Sequence, residues 1–262
     1  MGESAARPLT RTLGSVKLTV LGSSGTFPTA SNPASSYLVR TEDVTIWCDA
    51  GSGGFQALAS LIDPSAVDAV LISHSHPDHC VDLFAAFHAL TYRPEPTSGV
   101  PLFAHRSVIE RVLGFLEADE DHAIRRTFDI HPIESGSVWS IGDLQVEAIA
   151  MDHSVPTLGF RLEAHGRRLF YTADTGPGGT WIGRVGQVDL LLAEASLQND
   201  GNAYGQHLTA AEAGKIASDI GATRLLLTHI PPYLDPLVSV QEAETTFGRT
   251  VMAAVPGMSH EV

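Results

Sequence analysis

The chain has few cysteines, little positive charge and no long apolar run. Its 262 residues include two cysteines, Cys48 and Cys80, which excludes a disulfide framework and a cysteine-rich structural zinc site. Its 16 Lys and Arg stand against 30 Asp and Glu. This net charge of −14 argues against a general nucleic-acid binder, because phosphate recognition needs a basic surface.

No apolar stretch approaches the ~20 residues that cross a bilayer. No secretory signal precedes Ser15, so we expect a cytoplasmic protein without membrane contact.

Both cysteines are predicted to pack in the core. Cys48 lies in the apolar run Val44–Cys48, which is typical of a buried strand. Cys80 directly follows a histidine-rich motif, and the tendency of free cysteine to be buried favours packing over metal binding.

Short apolar runs separated by turn residues predict alternating strands and helices. Residues 117–126 are charged and are predicted to be a solvated surface segment, whereas residues 128–171 show the short alternating runs of a β-meander. The predicted strands are Val16–Gly22, Ser35–Arg40, Val44–Asp49, Val67–Ser73, Asp189–Glu194 and Arg224–His229. The predicted helices are Phe55–Ile62, Val81–Leu90, Ser107–Leu116 and Thr209–Ile220, with a tight turn at Gly51–Gly54.

The order of these elements predicts an α/β fold. Each half of the chain is β-rich first and α-rich afterwards, and two such halves stacked face to face give a four-layer αβ/βα sandwich. No linker, repeat or low-complexity block divides the chain. We therefore expect a flexible N-terminal tail over residues 1–14 and a single domain over residues 15–262.

The chain has twelve histidines, and the positions of several indicate a metal centre. Four candidate ligands fall within six residues, directly after the strand Val67–Ser73: His74, His76, Asp78 and His79. Imidazole together with carboxylate suits zinc or a similar divalent ion, and the absence of cysteine ligands argues against a purely structural site. A loop at this point can direct the first two side chains to one position and the last two to another.

Three further candidates follow later strands. His153, Asp174 and His229 each come at the end of an apolar run, and the Asp174 carboxylate could bridge two ions. We expect all of these side chains along one edge of a sheet.

The motif His74-Ser-His76-Pro-Asp78-His79 resembles the His-x-His-x-Asp-His signature of the metallo-β-lactamase superfamily. His153, Asp174 and His229 match later ligand positions of that family, and the similarity extends from Val16 to about Val255. The resemblance implies two divalent metal ions, with zinc expected and manganese or iron as alternatives. It implies that one ion is bound by His74, His76 and His153, that the other is bound by Asp78, His79 and His229, and that both are bridged by Asp174.

Other segments indicate which branch of the superfamily the chain resembles. Leu21–Pro28, Glu194-Ala-Ser196, His207-Leu-Thr209 and Leu227-Thr-His-Ile230 are similar to the branch that contains ribonuclease Z and small phosphodiesterases. This branch implies a carboxylate–histidine pair outside the metal ligands, which falls on Glu194 and His207. In this scheme His207 is the general acid, Glu194 orients it, and Asp78 orients the attacking hydroxide.

Length and charge favour a small phosphodiester substrate over tRNA. Members that process tRNA carry an inserted basic arm between the positions of His153 and Asp174, and only about 20 residues separate them here. An acidic chain also suits RNA poorly. We therefore expect a metal-dependent phosphodiesterase, with a cyclic nucleotide as the favoured substrate and Tyr204 as the first candidate for a substrate contact.

Several alternatives stay open at this point. They are a tRNA 3′-processing endoribonuclease, a lactonase or thioesterase, and an inactive metal-binding scaffold. The resemblance also leaves a homodimer open. His88 is interpreted as a packed core residue, and no role is assigned to His105, His122, His131, His165 or His260.

Overall fold

The computed structural model describes residues 14–199 and 205–262. These residues contain fourteen strands: β1 (Lys17–Gly22), β2 (Ser36–Arg40), β3 (Thr45–Cys48), β4 (Ala69–Ile72), β5 (Val100–Ala104), β6 (Phe128–Pro132), β7 (Val138–Ile141), β8 (Leu144–Ala150), β9 (Leu158–Ala164), β10 (Arg167–Tyr171), β11 (Leu190–Glu194), β12 (Arg224–Thr228), β13 (Val251–Ala253) and β14 (Ser259–Glu261). Their helices are α1 (Gly54–Leu61), α2 (Pro77–Cys80), α3 (Leu83–Thr91), α4 (Arg106–Leu113), α5 (Ala118–Thr127), α6 (Ile182–Val185), α7 (Ala210–Asp219) and α8 (Pro236–Phe247).

The strands form two seven-stranded sheets. The first has the order β14-β1-β2-β3-β4-β5-β6, and the second has the order β13-β12-β11-β10-β9-β8-β7. Inward-facing side chains of both sheets share one apolar cluster, which includes Leu18, Ile46, Phe160 and Leu192. The core of the sandwich therefore lies between the two sheets, as in other face-to-face sheet packings.

Helices cover the outer face of each sheet. A second apolar cluster joins the first sheet to α1, α3, α4 and α5 through side chains such as Leu58, Phe87 and Val112. A third joins the other sheet to α6, α7 and α8 through Val185, Ile216 and Phe247. The layer order is thus helix, sheet, sheet, helix, which confirms the predicted αβ/βα sandwich.

One part of the predicted element order is incomplete and another is wrong. Residues 117–126, predicted only as a solvated surface segment, form the N-cap Glu117 and most of helix α5, in which Ala123 and Ile124 are buried against the first sheet and Glu117 and Glu120 form a capping box. Strand β6 does not continue the meander but pairs in parallel with β5. Parallel neighbours need a long crossover, and α4 and α5 supply it.

Other predictions are adjusted or lie outside the structure. The helix predicted over Val81–Leu90 is present as α3, which begins two residues later and ends one residue later, and the short α2 precedes it. The predicted tail over residues 1–14 lies, apart from Gly14, outside the described residues. The single domain over residues 15–262 stays a prediction. Among the described residues, no helix combines the length and apolar character that crossing a lipid bilayer requires.

The fold brings the ends of strands from both sheets to one edge of the sandwich. Strands β3 and β4 run parallel in the first sheet, and β10, β11 and β12 run parallel in the second. The two sheets meet at this edge, where Ser73 follows β4 and Leu158 begins β9, and the Leu158 N–H donates to the Ser73 carbonyl oxygen at 3.0 Å. The expected single sheet edge is therefore an edge of the whole sandwich, to which both sheets contribute.

Candidate metal centre

Four of the predicted ligands lie in the loop after β4 and in the short helix α2. His76 is the N-cap of α2 and Pro77 is its first residue, where the missing N–H of proline costs nothing. Asp78 and His79 follow in the first turn. The side chain of His76 therefore leaves an extended backbone, whereas those of Asp78 and His79 leave a helical one.

The turn before α1 fixes the position of α2. Gly53 has φ 85°, in the left-handed region, as the tight turn predicted over Gly51–Gly54 requires. A side chain at Gly51 would collide with the carbonyl oxygen of Asp78, so the two backbones approach closely only because glycine is present. The Ala50 N–H also donates to the His79 carbonyl oxygen at 2.7 Å.

The candidate ligand atoms form two main groups. In each group, every residue offers one atom within 4.8 Å of the others. The first group is His74, His76, His153 and Asp174; the second is Asp78, His79 and His229. A further group of Asp174, His207 and His229 overlaps both. The division of the sequence motif between two positions therefore appears in the structure, while the role of each residue as a ligand stays a prediction.

Asp174 lies between the two groups. Its Oδ2 atom is 3.5 Å from His74 Nε2 and 3.8 Å from His153 Nε2. Its Oδ1 atom is 3.2 Å from His79 Nε2 and 3.5 Å from His229 Nε2. One carboxylate thus presents an oxygen to each group, which is the geometry that a bridging ligand needs.

The chemistry of the cluster suits metal ions. Asp174 Oδ1 and His79 Nε2 are both buried, and neither has a hydrogen-bond partner among the described residues. Buried polar atoms without partners are rare and costly, so such a pair fits a site that binds a cation. Burial would raise the pKa of Asp174, but the charges of His229 and His79 outweigh it and hold the pKa well below its usual range. The carboxylate is therefore ionised beside these histidines.

A carboxylate–histidine pair lies beside the cluster. His207 Nδ1 donates to Glu194 Oε1 at 2.9 Å, and Glu194 is fully buried at the end of β11. Burial lowers the pKa of His207, but the hydrogen bond and the charge of Glu194 outweigh it and raise the pKa to about 9. The ring of His207 lies 5.1 Å from that of His153 and 5.8 Å from that of His229, measured between centroids. The predicted pair is thus assembled, and it faces both groups.

These features match a known family. The family described as the beta-lactamase superfamily domain matches residues 45–230, which span both main groups of ligand atoms. The chain belongs to this superfamily, whose members include metal-dependent hydrolases. The resemblance inferred from the sequence and the predicted fold class are confirmed.

Superfamily relatives cover nearly the whole chain. An uncharacterised protein of Mycobacterium tuberculosis (strain ATCC 25618 / H37Rv) is 34% identical over 257 residues, which cover 96% of this chain and 94% of the relative. A ribonuclease Z of Mycolicibacterium gilvum is 28% identical over 249 residues, covering 84% and 86%. The probable metallo-hydrolase YhfI of Bacillus subtilis is 28% identical over 255 residues, covering 94% and 100%.

Solved structures share the fold. The crystal structure of YhfI has a TM-score of 0.85 at 27% identity, over 95% of this chain and all of that one. A diphosphatase of the PhnP family has a TM-score of 0.75 at 18% identity, over 94% and 98%. At that identity, the likeness to the diphosphatase concerns the fold alone.

Asp49 is a site residue that was not predicted from the sequence. This fully buried carboxylate accepts hydrogen bonds from Ser73 N–H at 2.8 Å, Ser73 Oγ at 2.8 Å, His79 Nδ1 at 2.7 Å and Tyr171 Oη at 2.7 Å. Because His79 Nδ1 donates to it, the Nε2 atom of His79 faces the cluster. Asp49 follows the buried strand β3, a position like that of Asp174 after β10, and this similarity could have indicated it.

Three residues of the site edge have a left-handed backbone. Asp49, Ala173 and His229 have φ values of 56°, 53° and 54°, and each lies within two residues of a strand end. Residues other than glycine adopt this region at a cost of about 1–3 kcal/mol each, and such strain collects at functional sites. The strained backbone turns the chain sharply as it leaves the sheet.

The remaining predictions have mixed outcomes. Cys48 and Cys80 are buried as expected, and burial raises the pKa of Cys80 to about 11. His88 is not a core residue: half of its side chain is exposed, because it lies on the outer side of α3, where it stacks on Tyr92. Tyr204, the predicted substrate contact, lies outside the described residues.

Proposed function

We propose that this chain is a binuclear-metal phosphodiesterase acting on a small substrate, and that a cyclic nucleotide is that substrate. One observation carries the proposal: the two oxygens of Asp174 face two separate groups of ligand atoms, and the Glu194–His207 pair lies beside them. A two-metal site beside a proton donor has the parts that phosphodiester hydrolysis needs.

Two divalent ions, zinc in the first instance and manganese or iron as alternatives, fit this donor set. Imidazole and carboxylate ligands without cysteine suit all three metals. His74, His76 and His153 would hold one ion, Asp78, His79 and His229 would hold the other, and Asp174 would contact both. When bound, the ions would neutralise the phosphoryl charge and lower the pKa of the attacking water.

The chain's own side chains then orient and move protons. Asp78 lies at the edge of the second group, with Oδ2 3.2 Å from His229 Nε2, and it can orient the attacking water. His207 carries a proton that it can give to the leaving oxygen, since Glu194 raises its basicity. Glu194 is a positioning residue, because it acts through His207.

Two features support a small substrate over tRNA. The described residues between His153 and Asp174 form the hairpin of β9 and β10, which turns at His165 and Gly166, and they contain no projecting arm. The net charge of −14 disfavours a polyanion. Because one relative is named ribonuclease Z, tRNA 3′ processing is the competing function. A cytoplasmic location and a homodimer stay predictions.

A substrate panel tests the proposal. The protein is loaded with Zn²⁺ or Mn²⁺ and assayed on bis-p-nitrophenyl phosphate, cyclic AMP, precursor tRNA and a homoserine lactone. We expect hydrolysis of the first two substrates. Turnover of the lactone alone supports a lactonase, and metal binding without any hydrolysis supports an inactive scaffold; either result contradicts the proposal. A His207→Asn variant that keeps full activity would contradict the role of His207.

A further inference from the structure

The hydroxyl of Ser196 touches both halves of the site. Ser196 follows strand β11, two residues after Glu194, and its side chain is buried. Its Oγ atom is 2.6 Å from Glu194 Oε2 and 2.8 Å from His229 Nδ1, and it lies at the longer distance of 3.3 Å from His207 Nδ1 and from the His229 carbonyl oxygen. One small side chain thus lies between a predicted metal ligand and the predicted catalytic carboxylate.

Ser196 donates its single hydroxyl hydrogen to the Glu194 carboxylate. The Glu194 carboxylate also accepts from Thr175 N–H at 2.7 Å, His207 Nδ1 at 2.9 Å and Ser196 N–H at 3.3 Å. An ionised carboxylate only accepts, and a contact of 2.6 Å matches the distance of about 2.5–2.7 Å typical of a hydroxyl bound to a carboxylate. The hydroxyl therefore donates to Glu194.

The hydrogen bond from Ser196 to Glu194 determines which nitrogen of His229 carries a hydrogen. With its own hydrogen given to Glu194, Ser196 Oγ can only accept from His229, so Nδ1 is the donor. The other ring nitrogen, Nε2, faces Asp78 Oδ2 at 3.2 Å and Asp174 Oδ1 at 3.5 Å. A histidine held in this way presents Nε2 to a metal ion.

The same carboxylate orients His207. Glu194 Oε1 accepts from His207 Nδ1, while Oε2 holds Ser196, which holds His229. The two imidazole planes are 15° from parallel. His229, Ser196, Glu194 and His207 thus form one continuous hydrogen-bonded chain.

We propose that Ser196 is a positioning residue that fixes the tautomer and orientation of His229 and couples this ligand to the Glu194–His207 pair. The inference rests on the proposed function in taking His229 as a metal ligand. Without the hydroxyl, His229 Nδ1 and Glu194 Oε2 lose their shared partner. Changes of this kind around a metal ligand weaken metal binding about 10–100-fold.

Two substitutions at Ser196 test the proposal, and they differ in whether the side chain carries a hydroxyl group. Ser196→Ala removes the hydroxyl, and Ser196→Thr keeps it. Ser36→Ala is the matched control, because Ser36 is also fully buried and hydrogen-bonded, but to Trp47 Nε1 at 2.8 Å. Each variant is checked for folding by circular dichroism.

The first measurement is nitrogen-15 NMR of histidine-labelled, metal-free protein, with the His229 signals assigned from a His229→Asn variant. In the unmodified protein and in Ser196→Thr, we expect a His229 Nδ1 proton that exchanges slowly with water. In Ser196→Ala the slowly exchanging proton disappears. Its persistence in Ser196→Ala would overturn the proposal without reference to any metal.

The second measurement is zinc affinity by competition with a chromophoric chelator. We expect Ser196→Ala to weaken one of two zinc ions about 10–100-fold, while Ser196→Thr and Ser36→Ala keep both affinities. Unchanged affinities in Ser196→Ala, or an equal loss in Ser36→Ala, would overturn the positioning role. Because neither readout needs a substrate, an inactive protein in the substrate panel contradicts only the proposed function.

Discussion

The Oδ1 atom of Asp174 lies 3.2 Å from the Nε2 atom of His79, and both atoms are buried without a hydrogen-bond partner among the described residues. The arrangement persists because Asp49 holds the other side of the His79 ring at 2.7 Å. The two atoms are therefore fixed toward each other at a position where a cation would give both a partner. This contact makes the site a metal centre in our account, and the first two predictions test it.

Replacing Asp174 by Asn should remove metal from both positions. The substitution keeps the size of the side chain but removes the charge that both groups of ligand atoms share. Substitutions of residues that only hydrogen-bond to metal ligands lower metal affinity about 10–100-fold. Because Asp174 is itself a predicted ligand, we expect its substitution to lower metal affinity at least about 100-fold. Metal content measured by mass spectrometry checks it, with Asp129→Asn, at an exposed surface pair, as the control. Wild-type metal content in Asp174→Asn would be incompatible with a bridging role.

Zinc should stabilise the folded protein. A ligand that binds the native state at 100 times its Kd adds about 2.7 kcal/mol to the free energy of unfolding. The buried, unpartnered atoms of Asp174 and His79 gain a partner in this state, whereas the unfolded chain has no assembled site. Urea unfolding with saturating Zn²⁺ and then with a chelator measures the difference. An unchanged midpoint would show that zinc does not bind this cluster.

Removing the Tyr171 hydroxyl should cost stability. Its Oη donates to Asp49 Oδ2 at 2.7 Å across the interface between the two sheets, and a hydrogen bond to a charged group contributes about 1.5–3 kcal/mol. We expect Tyr171→Phe to lower the free energy of unfolding by this amount in a urea titration. Tyr92→Phe is the control, because 67% of Tyr92 is exposed. Equal stabilities of the two variants would mean that this buried bond contributes nothing.

His207 should titrate well above the usual range for histidine. In metal-free protein its pKa is raised to about 9 from 6.5, because the bond to Glu194 outweighs burial. A raised native pKa stabilises the fold at pH below 6.5, and this contribution is lost as the pH rises through about 9. Glu194→Gln should bring the pKa down, which NMR titration measures. Glu212→Gln, whose parent carboxylate caps α7 at Thr209, should leave it near the wild-type value.

Local patterns in the sequence predicted most of the site. The ligand motif follows the buried strand β4, and His153, Asp174 and His229 follow other strands, so strand ends were sufficient to find them. The contact between Asp49 and Tyr171, and that between Ser196 and His229, were missed because each joins residues far apart in the chain. Nothing in the sequence near these residues specifies such partners.

The layered fold was predictable from alternating elements, but one helix and one sheet assignment were not, for physical reasons. Helix α5 is charged on its exposed side, and only Ala123 and Ile124 mark its buried side, so its composition indicated a solvated surface segment and did not reveal the helix. Strand β6 follows that helix and joins the first sheet, which short alternating runs cannot distinguish from a meander. Sheet membership depends on tertiary pairing that periodicity does not report.

A competition between two substrates in one reaction tests the proposed phosphodiesterase activity and its preference for a small substrate. Zinc- or manganese-loaded protein is given cyclic AMP and precursor tRNA together, and both products are quantified over time. We expect hydrolysis of cyclic AMP, intact precursor tRNA, and loss of the cyclic AMP activity on adding a chelator. Cleavage of the precursor at its 3′ end with cyclic AMP left intact would contradict the proposed function.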